Sequence, residues 1–257
     1  DYIDFKKQNY DLDGMFSLEV WVKPNLTSGG AVQTIFSKRD ANADSTTNGY
    51  DLNDEYTLLR SLLEHRVEGV ALIGHDHSDE TYNLLDIRNV PVVSMWNYKE
   101  NSKISCVGGE NKEAGAEIAK HITELGHTRI AVAFPNVKEN DRARDRKIGV
   151  IEYLNKKGII IPEYWNIKTE YSVSDARNCA IKLLDNYNHP TAIIAGNDVI
   201  ARGMIYAAQS RGLNVPNDIS ITGIGDFSSS ESSFPSITTV RMRPNEVGKK
   251  AASVLLE

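Results

Sequence analysis

The chain has 257 residues, 40% hydrophobic and 25% charged, which is enough apolar content for two lobes with cores of their own and excludes wholesale disorder. Its net charge of −6 at pH 7 disfavours nucleic-acid binding by this stretch alone, because phosphate contacts need a basic face. No run approaches the about 18 apolar residues of a membrane span. The opening DYIDFKKQNY lacks the apolar core of a signal peptide, so a cytoplasmic, membrane-free location is expected.

In chain order, LEVWVKP (18–24) predicts a strand, and Gly29-Gly30 followed by Ala31-Val32 and Ile35-Phe36 a turn into a helix. KRDANADSTTNG (38–49) is a poor helix former. Tyr50-Asp51-Leu52 begins like a strand but stops before helix-like YTLLRSLLEHRV (56–67). Either this region is irregular or residues are absent between Leu52 and Asn53. Taken alone, GMFSLEVWVKPN resembles an edge strand of a concanavalin-like β-sandwich. One strand cannot make a sandwich, and the helical segment behind it argues against one.

From residue 69 the rhythm is regular. GVALIG (69–74), VPVVSMW (90–96), TRIAVAFP (128–135), YWNIKTEY (164–171), PTAIIAGND (190–198) and DISITGIGD (218–226) predict strands, and ITTVRM (237–242) is extended. Between them DETYNLLDIRN (79–89), NKEAGAEIAKHITELGH (111–127), ARDRKIGVIEYLNKKGI (143–159), SDARNCAIKLLDNY (174–187) and VIARGMIYAAQSRGL (199–213) have helical spacing, with Gly126 and Gly158 as stops and Ser174 as a candidate N-cap. PNEVGKKAASVLLE (244–257) predicts a helix opening on proline. Such alternation builds parallel sheets, which hold ligands at their carboxyl ends. Those ends carry His75-Asp76, Trp96-Asn97, Asn197-Asp198 and Asp226.

The chemistry of an enzyme is not in view. There is no nucleophile elbow and no phosphate loop, and no carboxylate pair is placed by spacing for acid–base work. His75 and His77 resemble a metal fragment without a third ligand, so neither metal nor cofactor is expected. Cys106 and Cys179 sit in no metal or redox spacing, and reduced thiols are expected. Arg142, Arg144, Arg146 and Lys147 make the densest basic cluster, with Asp141 and Asp145 among them. Arg142 and Arg144 are read as solvated.

The order and spacing of the segments carry a resemblance. AIIAGNDVIARGMIYAAQSRGLNVPNDISITGIGDF, PSITTVRMRPNEVGKKAASVLLE and, upstream, EHRVEGVALIG, VPVVSM, VGGENKEAGAEIAKHITELGHTRIAV and RARDRKIGVIEYL together resemble the effector-binding region of the lactose/galactose repressor family. The match is good over 50–257 and loose over 17–49. It implies an α/β fold of two similar three-layer lobes with parallel sheets, periplasmic-binding-protein-like type I, with a cleft between lobes joined by three crossover segments. The first lobe would take 14–104 plus 239–257, and the second 105–238. The DNA-binding head of the full-length family is absent. The resemblance further implies a small-molecule effector, a sugar or sugar derivative ahead of a purine, together with a homodimer that meets operator DNA only through the missing head. The alternative on the same fold is a periplasmic or membrane-associated sugar-binding protein of a transport or sensing system.

The resemblance also nominates ligand contacts. Arg146 stands where the family places an arginine on effector hydroxyls or carboxylate, chemistry that suits a five-donor fork. Asn197 would contact ligand from the corner GND, with Asp198 capping the next helix. Asp226 matches the second of two family aspartates, and Gly225 stands at the first. Glu110 replaces the family's Asp. Tyr171 would offer an aromatic face, with Trp96 and Trp21 playing that part from the first lobe. His75 and Asp76 follow a strand into the cleft. Thr27 and Ser28 occupy the loop after the first strand.

Overall fold

The computed structural model describes residues 19–20, 34–36, 52–64, 67–138 and 140–257; Trp21, Thr27 and Ser28 lie outside the described residues. Among the described residues the strands form two five-stranded sheets. The first runs β1 (Glu19–Val20), β2 (Thr34–Phe36), β3 (Gly69–Ile73), β4 (Val92–Asn97) and β5 (Ser105–Gly109) in chain order, parallel from β2 onward with β1 antiparallel to β2. The expected turn into a helix at Ile35-Phe36 is corrected, since Thr34–Phe36 is a strand. Two β-branched residues and an aromatic suit a pleat better than a helical turn. Leu52 is likewise not a strand residue but the opening of α1 (Leu52–Glu64).

Helix α2 (Asp79–Arg88) starts where Ser78 accepts the Thr81 N–H and stops where Asn89 turns left-handed at φ 49°. Helices α1 and α2 cover one face of the first sheet, burying Leu59, Leu63 and Leu85 on Val70 and Leu72. The opposite face is covered by α8 (Pro244–Leu256), which presses Val247 and Ala251 on Ala71, Val93 and Met95.

The second sheet has the order β10-β9-β8-β6-β7 and is parallel throughout, with β6 (Ile130–Phe134), β7 (Asn166–Lys168), β8 (Ala192–Ala195), β9 (Ser220–Gly225) and β10 (Thr238–Arg241). Helices α3 (Asn111–Glu124) and α4 (Asp141–Lys156) bury Ile118, Ile122, Val150 and Leu154 on one face. Helices α5 (Val173–Leu184) and α6 (Asp198–Ser210) bury Ala176, Ala180, Ile200 and Met204 on the other. Each fully buried aliphatic or aromatic side chain here is worth about 1.5–3 kcal/mol relative to exposure. A short helix α7 (Ser228–Ser232) precedes β10. The cap of α5 is Ser172 rather than Ser174. The Ser172 hydroxyl accepts from the Asp175 N–H, and Ser174 lies inside the first turn.

Sheet membership shows where the chain changes lobes. β5 lies just beyond position 104 and pairs with the first sheet, so the chain enters the second lobe at α3. β10 pairs in the second sheet, and the chain returns to the first lobe at α8. The described chain thus crosses twice, where the resemblance implies three segments.

Two glycines set the distance between α3 and α4. A Cβ on Gly115 would fall 2.0 Å from the Arg146 carbonyl oxygen, and one on Gly149 1.9 Å from that of Lys112. The two backbones therefore touch, which no side chain at either position would permit. This contact brings Arg146 against the first residue of α3.

Candidate functional site

Both sheets point their carboxyl ends at one seam. In the second sheet the order reverses between β6 and β8, since β7 lies to one side of β6 and β8, β9 and β10 to the other. The connections leaving β6 and β8 diverge at such a point and leave a crevice. The first turns of α4 and the corner Gly196-Asn197 sit there.

The seam is crossed by a chain of hydrogen bonds. Arg146, buried, donates Nη1–H to the Gly196 carbonyl at 3.0 Å and Nε–H to Asn111 Oδ1 at 2.7 Å. Asn111 opens α3 and donates its amide to the Trp96 carbonyl at 2.7 Å and to Asn97 Oδ1 at 3.0 Å. Asn97, at the end of β4, donates to Asp141 at 2.8 Å and to Asp145 at 3.0 Å. Asp141 also accepts the His75 backbone N–H at 2.9 Å. Burial pushes the Arg146 pKa down. Guanidinium starts so high that it stays charged.

Around this chain stand the remaining charges. Arg142 donates Nη1–H to the Ile73 carbonyl and to Asp141, both at 2.9 Å. Arg144 grips Asp76 with two nitrogens, at 2.6 and 2.9 Å. The reading of Arg142 as solvated is therefore corrected, and Arg144, which does keep part of its side chain in water, is paired across the seam as well. Both reach from the second lobe to the first, because α4 starts at the seam instead of on an outer surface. The hydrogen bonds from Arg144 hold the Asp76 carboxyl below its usual range.

His75 is fixed by the Asn97 carbonyl at 3.0 Å from Nε2 and by the Ser102 hydroxyl at 3.4 Å from Nδ1. His77 faces Glu55 at 2.8 Å from Nδ1 and the Gly74 carbonyl at 2.9 Å from Nε2, so both ring nitrogens meet acceptors. Only the imidazolium donates to both. Burial works to lower the His77 pKa, but the hydrogen bond and charge of Glu55, with help from Gly74 and Asp141, outweigh it and leave the pKa raised.

The nominated residues divide. Across the seam, His75 is held through its backbone N–H by Asp141 and Asp76 by Arg144, while Arg146 bonds Asn111 and the Gly196 carbonyl next to Asn197. Tyr171 accepts the Asn140 amide at 3.1 Å on its hydroxyl. Asn197, not Asp198, is the N-cap of α6, with its Oδ1 accepting the Ile200 N–H at 2.9 Å. Asp198 is instead a buried anchor for the Phe227 N–H and for the hydroxyls of Ser230 and Thr239. Trp96 packs between a first-lobe and a second-lobe cluster at φ 74°, a left-handed setting costly for a bulky residue. Glu110 is exposed at the entry to α3 with no side-chain cap bond. The Asp226 carboxylate is paired with Arg241 on β10. At Gly225 a Cβ would meet the Phe227 ring at 2.8 Å and φ is +145°, so the backbone there refuses a side chain.

Sequence reasoning placed Asn97 at a strand end but missed Asn111, Asn140 and Asp141 as parts of the site. The i, i+4 spacing of Asp141 with Asp145, and of Arg142 with Arg146, places each pair on one helical stripe. That was the available signal.

The fold and seam define a two-lobe α/β ligand-binding domain. The family described as periplasmic binding protein-like domain matches residues 119–257, and the chain belongs to it. Two curated relatives are the HTH-type transcriptional repressors PurR of Erwinia tasmaniensis, 28% identical over 80% of this chain, and of Haemophilus influenzae, 28% identical over 77%. The chain spans 61% and 59% of their respective lengths. Among solved structures, the transcription regulator GntR of Chromobacterium violaceum superposes with a TM-score of 0.75 at 27% identity, covering 80% of this chain and 76% of that one. A LacI family transcriptional regulator of Silicibacter pomeroyi gives 0.72 at 25% identity, covering 80% and 77%. The chain is thus a ligand-binding domain of the type found in LacI-family regulators. Among the described residues no helix is long and apolar enough to cross a membrane.

Proposed function

We propose that this chain is the small-molecule-sensing and dimerising part of a bacterial transcriptional regulator, working in the cytoplasm and without catalysis. The observation that carries the reading is the hydrogen-bonded seam from Gly196 through Arg146, Asn111, Asn97 and Asp141 to His75. It ties the two lobes at the carboxyl ends of both sheets, where a ligand bridging them alters their relative position. A ligand shifts that equilibrium only by its difference in affinity for the two arrangements. The regulator relatives support the reading ahead of a transport role. DNA would be met through a helix-turn-helix outside this chain, with a dimer matching paired half-sites.

The effector class we favour is a sugar or sugar derivative. Arg146 is fixed through Nε and Nη1, and in this reading its Nη2 would reach the ligand, with Tyr171, Trp96, His75 and Asp76 supplying ring faces and polar groups to it. Asn197, Asp226 and Glu110 would add contacts from the ends of β8 and β9 and the entry to α3. Thr27 and Ser28 remain candidates from the first-strand loop.

The test is a thermal-shift screen against monosaccharides, disaccharides, sugar phosphates and purines, repeated on Tyr171→Ala, with sedimentation to read the assembly state. A saturable rise that weakens in the variant, from a dimer, is expected. No saturable rise with any class, together with a monomer, would overturn the reading.

A further inference from the structure

We propose that Arg144 is the anion-binding residue of the effector site and that Asp76 is its built-in competitor, so that the ligand carries a phosphate or carboxylate group. The inference rests on the effector-binding reading above and names the chemistry of its ligand.

Arg144 and Asp76 come from opposite lobes and meet through two parallel N–H···O bonds, at 2.6 and 2.9 Å. A guanidinium fork receives a phosphate or carboxylate ligand in this same geometry. Exposure separates this pair from its neighbours. The Arg144 and Asp76 side chains are 39% and 26% exposed, against 13% and 4% for Arg142 and Asp141. Asp141 is committed to Arg142, Asn97 and the His75 backbone. Arg146 is committed to Asn111 and Gly196. Among the described residues, the other hydrogen bond from the Arg144 side chain goes to the Val137 carbonyl, at 3.4 Å. Its grip is therefore the exchangeable one, within reach of water and of a diffusing solute.

A ligand lodged between the lobes at this point must part Asp76 from Arg144. A neutral hydroxyl replaces one acceptor but no charge. A phosphate or carboxylate replaces both, and frees Asp76 to accept hydroxyls on the same molecule. Specificity then arises by exchange, since the site discriminates against any ligand that cannot match the carboxylate it displaces.

The experiment titrates the whole chain with inorganic phosphate and, separately, acetate, against chloride at equal ionic strength, following tryptophan emission and Tm. Asp76→Asn should bind one of these anions saturably and at least tenfold more tightly than the unaltered chain. Adding Arg144→Gln should abolish that binding, with Arg144→Lys retaining it in part. Preference for phosphate assigns a phosphorylated ligand, and preference for acetate a carboxylic acid. No gain in Asp76→Asn, or a gain that survives Arg144→Gln in a folded double variant, overturns the proposal. A neutral ligand that binds equally well with and without Arg144→Gln also overturns it, while leaving the sensor reading intact.

Discussion

Replacing Asn111 with Ala removes the middle of the seam. The side chain belongs to a residue only 1% exposed, and it makes two good donor contacts, to Trp96 O and Asn97 Oδ1, while accepting from a buried guanidinium. Each neutral bond is worth about 1 kcal/mol and the charge-assisted one about 1.5–3 kcal/mol. Arg146 Nε is left facing a void, and water has little room to substitute. The expected loss is about 4 kcal/mol. Exposed Asn155, on the same second lobe, serves as the control, where Ala should cost under about 0.5 kcal/mol. Urea unfolding followed by far-UV dichroism gives the free energy, and calorimetry should show a Tm lower by about 8–16 °C for a chain of this size. A loss below about 1 kcal/mol at position 111 would refute the view that the seam is a bonded unit.

Three further outcomes are expected. Gly149→Ala should destabilise by about 1–3 kcal/mol despite the about 1 kcal/mol that alanine gains in a helix, because its Cβ would lie 1.9 Å from Lys112 O; a stabilised variant in urea would show that the helices are not in contact. His77 carries a raised pKa, so its stabilising contribution is complete below the unfolded value of about 6.5 and fades as pH rises through the higher folded value. His77→Gln should flatten the stability–pH curve over that window, and an unchanged slope between the two proteins would remove the paired imidazolium. Tyr171→Phe should cost about 1 kcal/mol through the lost Asn140 bond, readable in the same urea titration.

The helices and strands beyond residue 69 were legible because period and punctuation agree there. Gly126 and Gly158 do close their helices in left-handed turns at φ 89° and 74°. Capping was read less well, since Ser172 and Ser174, like Asn197 and Asp198, are chemically equivalent candidates, and only backbone direction chooses between them. The site was legible as a set of corners, namely His75-Asp76, Trp96-Asn97, Asn197-Asp198 and Asp226. What composition hides is that charges of opposite sign from α4 and the first lobe find one another across the seam. Arg144 and Asp76 are 68 residues apart in sequence, and no local pattern relates them. Gly225 stands at a family aspartate position, and its φ and the Phe227 ring make the glycine a backbone requirement that no sequence pattern announces.

The return of the chain to the first lobe has a consequence for how the protein is made. Val247 and Ala251 complete the face formed by Ala71, Val93 and Met95, yet they emerge from the ribosome only after the whole second lobe has been synthesised. The second lobe, contiguous from α3 to β10, is free to fold during translation, while the first waits with an apolar sheet face uncovered. Nascent chains halted before α8 would therefore be the sticky ones, and the demand for chaperones should peak late in synthesis.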